Sequence, residues 1–241
     1  MKKFLCSLGL ILITHALSAQ VLIALVFGDR LHSDKMGFGL TVSPSFCTLS
    51  ETHSSERVGL GLGLYFDFKI TDNFFLHPEL LPKPAFGAGG IAPYATGSDS
   101  LDAVFKGGEV ERKLRGFSFP MLVRYRIYKQ LFADVGPQVN MFLNVKDIFV
   151  NEVNDGEVTY TKIYKDGFTR FDVGMVAGLM YKFKTDKGMG IGVRYYQGLT
   201  DVLKMTGSQK NGVLQINVSI PVGMKASLER QEQKQKEKSE E

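Results

Sequence analysis

Successive stretches of this chain alternate apolar and polar residues with period two, and the connections between them alternate between very short and long. From residue 117 the odd positions read Phe117, Phe119, Met121, Val123, Tyr125 and Ile127, and the even ones Ser118, Pro120, Leu122, Arg124, Arg126 and Tyr128. Neighbouring side chains of an extended strand point to opposite faces, so one face suits lipid and the other a wet or salt-bridged interior. The 26 glycines and 18 phenylalanines push the same way, because glycine weakens helices and aromatic residues favour strands. With no tryptophan, an aromatic girdle at a membrane interface has to be built from Tyr and Phe.

The alternation predicts strands over 36–48, 58–70, 74–85, 112–128, 131–146, 168–183, 188–200 and 211–222. Turns 71–73, 129–130 and 184–187 are short, whereas loops 49–57, 86–111, 147–167 and 201–210 are long. This is the layout of an all-β fold, an eight-stranded antiparallel up-and-down transmembrane β-barrel with periplasmic turns and termini and extracellular loops. Outward sets include Val58, Leu60, Leu62 and Leu64, then Val139, Met141, Leu143 and Val145, while Gly59, Gly61 and Gly63 leave space in a narrow lumen. His77, Glu79 and Lys83 are expected to face inward. Pro78, Pro82 and Pro84 each remove a ladder donor, so the third strand should bulge or stop near residue 82. Asn154-Asp155-Gly156, flanked by Val150, Val153, Val158 and Tyr160, predicts a hairpin protruding beyond the membrane.

Residues 1–19 have the form of a secretory signal peptide, with Lys2 and Lys3, an apolar run from Phe4 to Ile13, and Leu17-Ser18-Ala19 before cleavage. Because apolar residues resume from Val21 to Phe27, an uncleaved anchor of about 20 residues is the competing reading. Residues 20–35 form a short apolar segment, a helix at the barrel mouth or a further strand. Residues 223–241 are a charged periplasmic tail with little to bury. After cleavage Cys47 is the single cysteine, which rules out an intramolecular disulfide. Loss of Lys2 and Lys3 takes the formal charge from +4 to +2, which makes no case for nucleic acid.

Seven charged residues fall on inward positions: Asp67, Glu79, Arg124, Arg126, Asp134, Asp172 and Arg194. An unpaired buried charge costs several kcal/mol, so four acids with three bases predict a mutually paired network. The lumen of an eight-stranded barrel is narrow enough for such side chains to fill, and no open pore is expected. A soluble carrier of the lipocalin type would turn the apolar face inward. The polar face here is rich in glycine and tyrosine rather than Lys, Glu and Thr, which suits a crowded lumen better. No catalytic residue, metal ligand or cofactor is expected. His32, His53 and His77 are widely separated, and His53 beside Ser54 lacks a nucleophile elbow or orienting acid. The glycines of 61–63 and 188–192 fall at period two within strands, as lumen glycines rather than phosphate cradles.

The segments 63–81 (GLYFDFKITDNFFLHPELL), 117–125 (FSFPMLVRY), 133–139 (ADVGPQV) and 192–201 (GVRYYQGLTD) resemble the PorT-like family of bacterial outer-membrane β-barrel proteins, over about residues 36–222. The resemblance implies a small barrel in the outer membrane of a Gram-negative cell, in a family whose namesake is linked to protein secretion. Members commonly finish the last strand on an aromatic residue read by the barrel-assembly machinery, whereas this chain has Ile220-Pro221-Val222 and then the tail. The expected role is a non-enzymatic structural or interaction one through the extracellular loops, with outer-membrane lipid around the barrel. An accessory component of protein secretion acting on a periplasmic partner is the alternative. A lipid-modifying barrel enzyme using His53 and Ser54 is the third.

Overall fold

The computed structural model describes residues 35–50, 54–153, 156–164, 166–183, 188–202 and 208–222. The predicted signal peptide, residues 20–34, His53 and the tail 223–241 lie outside them. The described residues form ten strands and one helix: β1 Met36–Leu49, β2 Arg57–Lys69, β3 Phe74–Lys83, β4 Phe86–Ile91, α1 Asp99–Phe105, β5 Glu109–Tyr128, β6 Leu131–Val153, β7 Gly156–Tyr164, β8 Phe171–Lys182, β9 Gly190–Gly198 and β10 Asn211–Pro221.

Eight of the strands close a ring in the order β1, β2, β3, β5, β6, β8, β9, β10, and each is antiparallel to its neighbours. Pairing of β10 with β1, from Gly39 opposite Pro221 to Leu49 opposite Asn211, removes the sheet edges. These are the eight strands of the alternation. β7 pairs with the far half of β6, from Val145 opposite Tyr164 to Val153 opposite Gly156. At 23 residues β6 far exceeds the 9–11 or so that a membrane strand needs, so the β6–β7 hairpin projects beyond the bilayer at the long-loop end.

The outer wall is greasy and the inside is ionic. Met121, Val139 and Val193 are 47%, 39% and 52% exposed, whereas Arg124 and Asp134 are 0% and 1% exposed, the reverse of a soluble carrier. Leu62 keeps outward parity but is only 7% exposed, opposite Val42 and Lys83 where β2 and β3 shift register. At the short-turn end the outward aromatics Phe68, Phe74, Tyr125, Tyr181 and Phe183 form a girdle without tryptophan, with Phe74 and Tyr125 ring centroids 4.8 Å apart.

Three sequence expectations need correction. The stretch 86–111 is not one long loop, since it holds β4, α1 and the first residues of β5. Lys83 is exposed rather than inward, because β3 bulges against β2 and ends there, as its prolines require. Val145 is buried rather than lipid-facing. A bulge against β5, between Arg115 and Gly116, inserts an extra residue at Leu143, so from there outward the odd residues of β6 turn inward.

Candidate functional site

The lumen is stacked in layers, which the inward residues of β5 index from the short-turn end as Arg126, Arg124, Leu122, Ser118, Leu114, Arg112 and Val110. At the rim, Phe75, Phe132 and Met180 form a small apolar cluster. The Arg126 guanidinium lies 5.1 Å from the Phe132 ring centroid and donates to the carbonyls of Asp72 at 3.2 Å and Lys129 at 3.0 Å. It therefore braces the turns rather than sitting in the ionic layer.

Above the rim lies a fully enclosed ion network. Arg124 grips Asp134 with two nitrogens, Nε to Oδ1 at 2.6 Å and Nη2 to Oδ2 at 2.9 Å, and reaches Asp67 with Nη1 at 3.1 Å. Arg194 donates Nη2 to the same Asp134 at 2.7 Å and Nη1 to Glu79 at 2.5 Å. Lys182 Nζ donates to Asp67 Oδ2 at 2.6 Å. Paired forks of this kind are the strong form of buried ion pair, since they satisfy several lone pairs at once. Three carboxylates thus meet three bases, and His77 joins two of them: Nδ1 is 2.6 Å from Asp67 and Nε2 is 2.7 Å from Glu79. Arg194 Nη2 also lies 3.3 Å from His77 Nε2, which ties the ring to both arms of the network.

Of the seven charges singled out in the sequence, five meet here: Asp67, Glu79, Arg124, Asp134 and Arg194. Asp172 belongs to the next layer, where it accepts from Thr200 Oγ1 at 2.6 Å, Asn211 Nδ2 at 2.8 Å, Tyr196 OH at 2.9 Å and Asn140 Nδ2 at 3.2 Å. Ser118 donates to Asn140 Oδ1 at 2.6 Å in the same layer. Lys182 and His77 were missing from the set. Both carried the signal that found the others, an inward parity on a predicted strand.

Glycine at 178 makes the network possible, because a Cβ there would lie 2.5 Å from Arg194 Cγ and 2.4 Å from the Val193 carbonyl. Gly178→Ala is expected to push Arg194 off Asp134 and Glu79 and to cost about 1–3 kcal/mol, as overpacking does. A urea titration of the folded fraction, read by heat-modifiable gel migration, checks this. An unchanged midpoint would mean that Arg194 has room to shift.

Further out the lumen is plugged by apolar side chains. The chain turns inward after Lys83, and Phe86 of β4 packs edge-on to Phe142 and Tyr196 at centroid distances of 5.4 and 5.6 Å. Ala85, Ala88, Leu114, Phe142, Val145, Phe168 and Val213 complete the plug. Gly87, at φ +126°, allows the bend, for a Cβ there would meet the Arg112 carbonyl at 1.9 Å.

A last pair closes the outer mouth: Arg112 donates Nε to Asp147 Oδ1 at 2.8 Å and Nη2 to Oδ2 at 2.5 Å. Tyr94 from the long loop donates its hydroxyl to Asp147 at 2.6 Å and touches the Tyr164 hydroxyl. Burial, then the bonds to Asp147 and Tyr164, hold the Tyr94 phenol far above the usual tyrosine range, so it stays a neutral donor. Above it Phe105 of α1, Val110 and Phe149 form a cap cluster. Among the described residues no group of His, Cys, Asp and Glu is arranged to hold a metal ion.

A family model described as outer membrane protein beta-barrel domain matches residues 29–204. No curated protein sequence matches the chain. Among solved structures, Ail, the attachment invasion locus protein of Yersinia pestis, aligns at TM-score 0.40 and 10% identity over 78% of this chain and 98% of its own. Neisserial surface protein A aligns at TM-score 0.37 and 12% identity over 76% and 96%, and OprG of Pseudomonas aeruginosa at 0.33 and 11% over 77% and 91%. The family match spans well over half of the chain and includes seven of the eight ring strands, so the chain belongs to the outer membrane protein beta-barrel domain family.

Proposed function

We propose that this protein is a non-enzymatic outer-membrane barrel with a closed lumen, acting as a structural or interaction protein through its long-loop end. In this reading residues 1–19 direct export, the barrel-assembly machinery inserts the chain, the short turns and both termini face the periplasm, and the loops face outward. The observation that carries it is the succession of closures along one axis: the ion network, the Asp172 layer, the apolar plug and the Arg112–Asp147–Tyr94 seal. A side chain at every level is the arrangement of a lumen that passes no continuous water column. Support for an interaction role comes from the built platform above the barrel, where α1, β4 and the β6–β7 hairpin share the Phe105–Val110–Phe149 cluster.

Reconstituted into a planar lipid bilayer, the full chain is expected to give no stepwise conductance at 1 M-scale salt, and steady open-channel steps would reject the closed lumen. On intact cells a cysteine placed in the hairpin, Thr159→Cys, should react with a membrane-impermeant maleimide. Absence of labelling until the outer membrane is permeabilised would reverse the orientation. The second reading, an accessory of protein secretion, draws on the PorT-like strand segments. Loss of residues 224–241 should then impair secretion of a cargo protein, and unchanged secretion would count against it.

A further inference from the structure

The wall of the barrel has a seam. β3 pairs with β2 as far as Lys83 opposite Leu62, and above it the next link on that side is the isolated bridge between Ser55 and Gly89. No ladder pair joins residues 57–61 of β2 to 84–88, because the chain leaves the wall at Pro84-Ala85 to form the plug. The seam holds a cavity of about 720 Å³ lined by β2, the β3–β4 break and residues 113–116 of β5.

Its lining mixes basic and apolar side chains. Arg57, Lys83, Lys113 and Arg115 supply the cations, and the exposed Val58 and Leu60 lie beside them, farther toward the loops than Lys83, which is level with Leu62. A single carboxylate serves this group: Glu111 accepts from Arg57 Nε at 2.9 Å and from Lys113 Nζ at 2.9 Å. Lys83 and Arg115 are exposed with no acidic partner among the described residues. The remaining acids of this wall, Glu56 and Glu109, join Glu111 around an adjoining cavity of about 240 Å³ further toward the loop tips, which Arg57 and Val58 also line. The acids Glu109 and Glu111 thus lie farther toward the loop tips than Lys113 and Arg115 on the same strand, with Arg57 reaching both levels.

The height of the cavity identifies what it meets. On the outward face of β5 the residues change from Phe117, Phe119 and Met121 to Arg115 and Lys113 within a single step of the pleat. That change marks where hydrocarbon gives way to headgroups. Phosphates belong at this level, directly above acyl chains, and basic residues at a membrane surface attract them.

We infer that the seam between β2 and β5 binds an anionic, multiply phosphorylated lipid of the leaflet at the long-loop end, its phosphates on Lys83, Lys113 and Arg115 and its acyl chains along Phe117 and Phe119 below them. The leaflet, though not the chemistry, rests on the membrane placement proposed above. Arg57 is a positioning residue, holding the seam through Glu111 and through a 3.4 Å contact with the Phe86 carbonyl.

The test is native mass spectrometry of the full chain released from dodecylmaltoside micelles, with bis-phosphorylated lipid A, phosphatidylcholine and inorganic phosphate as the three probes. The parent protein should retain lipid A and not phosphatidylcholine, and millimolar inorganic phosphate should not displace it. The Lys83→Gln/Lys113→Gln/Arg115→Gln variant should bind lipid A about tenfold or more weakly, since each basic group near a lipid surface contributes on the order of 1 kcal/mol. These side chains lie on the outer wall, and unchanged heat-modifiable migration establishes that the variant is folded. Retention within twofold by the variant, equal retention of phosphatidylcholine, or displacement by inorganic phosphate would each overturn the assignment, the last by revealing a site for a soluble anion. Binding in micelles does not depend on which way the barrel faces or on conductance, so this result and the bilayer and labelling results fail independently.

Discussion

Arg124→Met is expected to destabilise the folded barrel by about 3–5 kcal/mol, the usual penalty for removing one member of a buried ion pair. The side chain is completely enclosed and serves Asp134 with two nitrogens and Asp67 with a third. Its loss strands negative charge in a lumen with little room for water. Urea titration in dodecylmaltoside micelles, read by the heat-modifiable gel shift because the chain has no tryptophan, measures the effect. A midpoint close to that of the parent would show that the network fills space without holding the strands together. A double variant sharpens the result. Arg124→Met with Asp134→Leu removes both partners, and the combined cost should fall short of the sum of the two single costs by more than about 1 kcal/mol. Additive costs would mean that Asp134 is held mainly by Arg194.

Phe86→Ala should be comparable, about 3–5 kcal/mol, because it empties the centre of the plug. Phe86 contributes its ring to two edge-on contacts, and β4 is tied to β5 by only a short ladder with a register shift between Ala88 and Ile91. Its loss should also free the following segment, so hydrogen exchange at 85–91 and protease cleavage within 92–108 should rise together. Phe86→Leu, which keeps most of the volume, should cost less than about 1.5 kcal/mol. If the alanine variant unfolds like the parent while 92–108 becomes labile, the plug is a lid resting on an independently stable barrel.

The ionic layer is partly legible in the sequence. Arg124 and Asp134 lie on adjacent strands joined by a tight turn, and inward parity alone assigns both to the lumen. Their direct opposition is a subtler matter. A plain two-residue turn at 129–130 pairs Tyr128 with Leu131, and carried down the hairpin it would set Arg124 against the outward Val135. The structure instead shifts register between Arg126 and Tyr128, leaving Ile127 extra, and Arg124 meets Asp134. Lys129, with φ at +42°, sits in the turn that accompanies this shift. Lys182 and Asp67 are 115 residues apart, and only closure of the ring brings them within 2.6 Å. Parity places each of them inside, but it carries no information about height along the axis or about which strands face each other across the lumen.

What the sequence determined by itself was the number of ring strands, their order and the face that residues present wherever the two-residue repeat is unbroken. These follow from local physics: the two-residue repeat of a strand, the incompatibility of lipid with charge, and the inability of short turns to connect anything but neighbours. The tertiary structure alone decided the departures from that repeat. The bulge at Leu143 turns Val145 inward, the break after Lys83 sends Phe86 into the lumen and opens the seam, and Asp172 and Arg126 separate from the ion network. Each depends on which distant side chain occupies the remaining space at one level of a narrow lumen, a quantity set by strand stagger around the closed ring and encoded in no single segment of the chain.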